Sequence, residues 1–327
     1  MILTADIGGT KTLLALHDDR GAILHRERYL SGDAAEFSEL VAVFLADAAR
    51  ALPGCEPPRL ACFGIAGPVL GERVKVTHLP WEIDGPALAD RFGFDRVLLL
   101  NDFAAAAHGI DLLGPEDVVT LQPGALLPAQ PRVVIGAGTG LGLAFVSDGR
   151  VLAGEGGHAT FAPADALQAG LCQWLRPRVG RVQVEHVVSG RGLVHVYEFL
   201  LQQRRAGEHA AAREVLGAGE PAAAIARHAL EAHEPLALAA VDLFLACYGA
   251  LAGDQALSVL ARGGVYVTGG IAPRLLPRLT TGGFLSAFND KGPLAAVTRA
   301  CPVRVVVNPD LPLLGAARHA QRSAVVG

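Results

Sequence analysis

Two stretches of this chain share one pattern, and that repetition restricts the fold more than any other feature. ILTADIGGTKTLLALHDDRGAIL, from Ile2, and PRVVIGAGTGLGLAFVSDGRVL, from Pro131, each read as an apolar strand, a Gly/Thr turn, a second apolar strand, a turn with Asp and Gly, and a third strand. After the first copy, AAEFSELVAVFLADAARAL spaces its apolar residues as a helix, which Pro53-Gly54 stops. A strand LACFGIAG, a loop to Trp81, a short helix around 85–92, a strand RVLLL and a helix after Asn101-Asp102 follow. The second copy leads into helices across 190–262, a strand GGVYVTGG, a helix from Pro273, a strand VRVVV from Val303 and a closing helix LLGAARHA. An internal duplication of this kind implies two similar α/β lobes with a ligand crevice between them. The expected domains are a small one from 1–111 and 303–327, and a large one from 112–302 carrying the helical insertion.

A chain of 327 residues has room for two such lobes. Its net charge of -4 leaves no basic footprint for nucleic acid, which is excluded as a partner. The five cysteines stand far apart, with no C-x-x-C pair or metal-ligand spacing, so scattered thiols in a reducing compartment are expected and a structural zinc is not. The start MILTADIGG lacks the basic and apolar regions of a signal peptide. The run LALAAVDLFLACYGALAG carries Asp242 in its middle, which argues for a buried helix over a membrane span. A cytoplasmic protein is expected.

The glycine turns suit phosphate. Without Cβ atoms, a hairpin turn leaves its backbone N–H groups open, and several that converge form an anion nest. Gly8, Gly9 and Thr10 form one such turn and the run from Gly136 to Gly142 the other, so two facing nests can hold one triphosphate. Asp6 at the end of the first strand would repel phosphate if alone, which argues for a bridging Mg²⁺, held through water. A plain hairpin also favours Gly-Gly, and the turn's recurrence is what favours phosphate. No Walker A string is present, and the second set of glycines runs into a strand where a dinucleotide fingerprint would open a helix.

VLLLNDFAAAAHGI sets Asn101 and Asp102 at the carboxyl end of a buried strand, the edge where open α/β sheets place ligand groups. Asp102 either caps the following helix or takes the proton of a hydroxyl acceptor during phosphoryl transfer, help worth about 100- to 10,000-fold. Asn101 can hydrogen-bond the same acceptor. Glu155 and His158 in GEGGHATFAP, with Glu185 in VEHVVSGRGL, add carboxylates and an imidazole suited to sugar hydroxyls, each of which donates and accepts. A His–Glu metal site lacks a third spaced ligand.

At this point the chain resembles one family, the bacterial glucokinases of the hexokinase and actin superfamily, in the branch without the zinc-containing ROK signature. The strings DIGGTK, GIAGPV, LPW, LLLNDFAAAAHGI, GAGTGLG, GEGGHATFAP, VEHVVSGRGL, TGGIAPRLL, FLSAFNDKGPL and NPDLPLLGA carry the resemblance across nearly the whole chain. It implies a duplicated actin-like ATPase (ribonuclease H-like) fold, two lobes that close on sugar, ATP-dependent phosphorylation of D-glucose, a Mg²⁺ requirement and a homodimer. By motif, Asp102 is the base, and Asn101, Glu155, His158 and Glu185 hold sugar hydroxyls. Asp6, Gly8, Gly9, Thr10, Lys11, Gly138 and Thr139 surround phosphates and Mg²⁺, with Gly269 and Gly270 by the adenosine. Lys11 and His78 depart from residues usual in relatives. Alternatives that remain open are a kinase for another hexose or N-acetylhexosamine, a non-catalytic sugar-binding regulator, and a filament-forming ATPase. A regulator would need a DNA-binding module, for which a first strand beginning at residue 2 leaves little room.

Overall fold

The two copies of the strand pattern become two sheets of like topology. The structure is a computed structural model that describes residues 1–77, 79–125, 127–203 and 209–325, so His78 lies outside the described residues. It divides into two compact units, Met1–Gly114 with Val151–Ala153 and Asn308–Gly327, and Pro115–Arg150 with Gly154–Val307.

In the first unit, β1 (Ile2–Ile7), β2 (Lys11–His17) and β3 (Ile23–Leu30) form the expected meander. Helix α1 (Phe37–Ala51) precedes β4 (Leu60–Ile65), and the loop to Trp81 contains two short strands not anticipated above, β5 (Arg73–Lys75) and β6 (Glu82–Asp84). They pair only with each other. Helix α2 (Gly85–Phe92) starts where the Asp84 carboxylate accepts from Ala87 N and ends at Gly93, whose φ of 73° only glycine adopts cheaply. Then come β7 (Arg96–Asn101) and α3 (Asp102–Gly109). The sheet order is β3-β2-β1-β4-β7, with β1, β4 and β7 parallel. Leu3, Ala5, Ile7, Leu14 and Leu16 pack one face against Phe37, Phe44, Phe63 and Trp81, where the period-2 pattern requires them to point together.

The second unit opens with β8 (Val118–Gln122), followed by β9 (Arg132–Ala137), β10 (Leu141–Ser147) and β11 (Arg150–Gly154). Helices α4 (Ala166–Val179), α5 (Gly190–Gln202), α6 (His209–Gly217), α7 (Pro221–Leu230) and α8 (Pro235–Ser258) supply the insertion. After β12 (Gly264–Thr268) come α9 (Leu276–Leu279), α10 (Gly283–Asn289), α11 (Ala295–Arg299) and β13 (Val303–Val306). The helix expected from Pro273 is thus only a turn that tightens into α9. The sheet order is β11-β10-β9-β12-β13-β8, the first sheet's order with β8 added on the edge. Because β13 pairs with β12 and β8, the chain re-enters the first unit at Asn308, not 303.

Helix α8 is long and apolar enough to cross a membrane, but two-thirds of its apolar window is buried within the protein. Its Asp242 takes a paired bond from the Arg278 guanidinium, at 2.5 and 2.6 Å. The closing helix α12 (Leu311–Val325) lies against α3. A Cβ on Gly109 would stand 2.7 Å from the Leu311 carbonyl oxygen, and one on Gly315 would overlap the carbonyl of Ala105. Glycine at both places lets the two helices touch backbone to backbone.

Candidate active site

In the first unit the candidate residues share one sheet edge because of strand register. Ile7 pairs with Ile65 and Ile65 with Asn101, all in parallel. With strands about 4.8 Å apart, the β1–β2 turn, the loop after β4 and the start of α3 emerge side by side. The turn closes through Gly8 N–H to the Lys11 carbonyl at 3.0 Å. It is also tied to β3, since Ser31 N donates to the Thr10 carbonyl at 3.0 Å and Ser31 Oγ to the Gly8 carbonyl at 2.8 Å. Gly9, Thr10 and Lys11 remain exposed. Asp6 is half-buried behind them, and burial with no compensating charge pushes its carboxyl up to about 6. A carboxylate kept at such a cost suits a cation.

Asn101 is buried and is the N-cap of α3. Its Oδ1 accepts from Phe103 N and Ala104 N, both at 3.0 Å, and its Nδ2 donates to the Gly67 carbonyl at 3.1 Å. Asp102 therefore stands one residue inside the helix and is not its cap, and a carboxylate there is favoured by the helix dipole. Its Oδ1 accepts from Phe103 N at 2.9 Å. Beside it, Gly64 leaves little space, because a Cβ there would be 3.2 Å from Ala105 Cβ and 3.5 Å from Asp102 Cα.

In the second unit the β9–β10 turn is closed by Gly138 N–H to the Gly140 carbonyl at 2.9 Å, and Gly190 N donates to the Gly138 carbonyl at 2.8 Å. Thr139 is exposed at its tip. Beneath it the buried Tyr248 hydroxyl accepts from Ala137 N at 3.2 Å and donates to the Ile135 carbonyl at 3.3 Å. Thr268 at the end of β12 pairs with Gly136, so Gly269 and Gly270 adjoin that turn. Gly269 has φ of 84°, and a Cβ on it would lie 2.6 Å from the Ala137 carbonyl oxygen.

The structure brings Glu155, His158 and Glu185 together. Gly156 and Gly157 allow this, since Cβ atoms on them would collide with Leu143 and Leu141 of β10. His158 Nδ1 is 3.4 Å from Glu185 Oε1 and its Nε2 is 3.9 Å from Glu155 Oε2. Glu185 lies in a single helical turn, Val184–His186, and approaches the position a Cβ on Gly140 would take, at 3.1 Å. Three acceptors in one exposed group match a ligand with several donating hydroxyls. The sequence reading passed over Gln183, whose Oε1 is 2.9 Å from His158 Nδ1, and over Ser31, Gly64 and Tyr248. Two positions from Glu185 was the only available hint for Gln183; the others have no local signal.

Comparison with known proteins shows which family the chain resembles. The Glucokinase family model matches residues 3–323. A glucokinase of Nostoc sp. is 39% identical, covering 98% of this chain and 99% of the relative. Among solved structures, a glucokinase from an Antarctic psychrotroph superposes with a TM-score of 0.81 at 29% identity, with 98% of both chains covered. The glucokinase of Balamuthia mandrillaris in complex with glucose superposes with a TM-score of 0.79 at 24% identity, over 98% of this chain and 93% of that one. The duplicated sheets and the neighbours define a kinase of the actin-like ATPase fold. Within that class, the chain belongs to the glucokinase family.

Proposed function

We propose that Asp102 is the general base with which this chain performs the ATP-dependent phosphorylation of D-glucose to glucose 6-phosphate. One observation carries the assignment of the base: Asn101 accepts from both Phe103 and Ala104 N–H as the cap of α3 while Asp102 Oδ1 shares only the first, so the first turn stays capped when the carboxylate takes a proton. In the reaction the sugar's 6-hydroxyl oxygen attacks the γ-phosphorus and passes its proton to Asp102. The bond from γ-phosphorus to the bridging oxygen breaks, and ADP leaves with that electron pair.

Gly8, Gly9, Thr10 and Lys11, with Gly138 and Thr139, offer open backbone donors and polar side chains for the phosphates, and Gly269 and Gly270 lie by the adenosine in this reading. Asp6, whose carboxyl is raised by burial without a partner, fits Mg²⁺ held through water. The metal would supply charge neutralisation to the polyphosphate. Glu155, His158 and Glu185 accept from sugar hydroxyls, and Asn101 sets the start of α3 as much as it touches sugar. The base belongs to the first unit and this acceptor set to the second.

The reading further includes a cytoplasmic homodimer of the branch without a zinc-binding cysteine cluster, which the scattered thiols support, with Cys62, Cys247 and Cys301 each buried. The test is a coupled assay with MgATP. Asp102→Ala should lower kcat by about 100- to 10,000-fold with a glucose KM near that of the parent. Near-normal turnover in the variant would remove Asp102 from the role. A panel of hexoses and N-acetylhexosamines, compared by kcat/KM, tests the choice of sugar.

A further inference from the structure

The glucose reading leaves open how His158 presents itself, because an imidazole offers a donor on one nitrogen and an acceptor on the other. Three contacts decide it. The turn Val184–His186 is closed by the His186 backbone N–H, which donates to the Gln183 backbone carbonyl at 3.1 Å, and by Gln183 N–H, which donates to His186 Nδ1 at 3.1 Å. The Gln183 side-chain carbonyl oxygen faces the His158 imidazole across the backbone bridge between Thr160 and Gln183. That same oxygen is 2.9 Å from His158 Nδ1, which must then carry the proton. Glu185 Oε1, at 3.4 Å, is a second acceptor on the same side. The lone pair of neutral His158 is left on Nε2, and Glu155 at 3.9 Å is too far to take a hydrogen bond from it.

We propose that Gln183 is a positioning residue for sugar selection, which, resting on the glucose reading above, locks His158 in the Nδ1–H tautomer so that Nε2 accepts a hydrogen bond from a sugar hydroxyl. Gln183 and Glu185 present acceptors to one side of the ring, and Gln183, the nearer of the two, orients the imidazole. Backbone bridging between Thr160 and Gln183, with Val184 N–H donating to the Ala159 carbonyl at 2.9 Å, holds the strand ends that carry the two side chains. The charged and titratable groups facing His158 are Glu155 on its own turn, Glu185 and His186 on the facing turn, and Arg181, whose Nη1 donates to the His158 carbonyl at 3.1 Å. Burial, the largest influence on His186, holds its pKa below the ordinary value, so its Nδ1 stays an acceptor and the bond from Gln183 N–H persists.

The experiment has two arms. In sugar-free, ¹⁵N-histidine-labelled protein, side-chain ¹⁵N–¹H correlation spectra report the tautomer of each imidazole, with the His158 signals identified by their loss in His158→Gln. The expected result is a protonated Nδ1 in the parent and a mixed or inverted tautomer in Gln183→Leu. A protonated Nε2 in the parent, or an unchanged tautomer in Gln183→Leu, overturns the proposal, and neither outcome depends on glucose being the substrate. In the kinetic arm, Gln183→Leu should raise the glucose KM about tenfold, the worth of one hydrogen bond in a polar site, while kcat and the ATP KM stay near the parent's. Gln183→Glu keeps an acceptor beside Nδ1 and should return the glucose KM toward the parent's. An unchanged KM in Gln183→Leu, with the parent active on glucose, would refute the role of Gln183 while leaving the glucokinase reading intact. Failure of the parent on glucose would instead strike the functional reading.

Discussion

His108 on α3 gives the helix that bears Asp102 a calculable sensitivity to acid. Its ring lies 4.5 Å from that of His319 on α12, the planes inclined by 43°. Its Nδ1 is buried without a hydrogen-bond partner among the described residues. Burial first, then the neighbouring His319 and Arg322, pushes His108 down to about 4 from 6.5, and His319 is lowered by burial, Arg96 and Arg322. Both rings are therefore neutral in the folded protein at neutral pH. Between 6.5 and 4 the unfolded chain binds a proton at His108 that the folded chain refuses, so stability is retained above 6.5 and lost as pH falls through that window. The shift is 6.5 − 4 = 2.5 units, and at about 1.36 kcal/mol each the loss is about 3 kcal/mol, with His319 adding in the same direction. His108→Leu removes the titrating ring and the unpartnered nitrogen together. Urea unfolding at half-unit intervals should show stability at neutral pH equal to the parent's or slightly greater, and a fall between pH 6.5 and 4 that is shallower by about 3 kcal/mol. Parallel curves for parent and variant would refute the reasoning.

Gly64→Ala inserts a methyl 3.2 Å from Ala105 Cβ and 3.5 Å from Asp102 Cα, which displaces the start of α3. It should lower kcat by about tenfold or more for a stability loss of about 1–3 kcal/mol, and an unchanged kcat in a destabilised variant would detach Gly64 from the site. Tyr248→Phe deprives Ala137 N–H and the Ile135 carbonyl of the hydroxyl they share. It should cost about 1–3 kcal/mol in denaturant unfolding and raise the ATP KM, and a variant as stable as the parent would show those groups repartnered.

The sequence by itself determined the repeated meander, because alternating apolar residues and a glycine turn are local rules that need no knowledge of distant contacts. ILTADIGG and VVIGAGTG each specify two paired strands and a turn with open amides, and the sheets' matching strand orders follow from repeating that unit. Residue chemistry likewise marked Asp102, Glu155, His158 and Glu185. It could not show that the last three meet, since Glu155 and Glu185 are brought together by the fit of Gly156 and Gly157 against β10 and by the backbone bridge between Thr160 and Gln183. The membership of β13 was also hidden: VRVVV reads the same in either sheet, and pairing with β12 and β8 decided it. Above all, tertiary structure assigned duties to side chains that look alike in one dimension. Asn101 and Asp102 are adjacent candidates for one cap, and the fold gives Asn101 the bonds from both Phe103 and Ala104 N–H while Asp102 shares only the first. Gln183 carries no signature beyond lying two residues before Glu185, because the proton it orders on His158 depends on an imidazole brought there by folding. Hydrogen bonds select among equivalent atoms through distance and direction, and those exist only once the chain has folded.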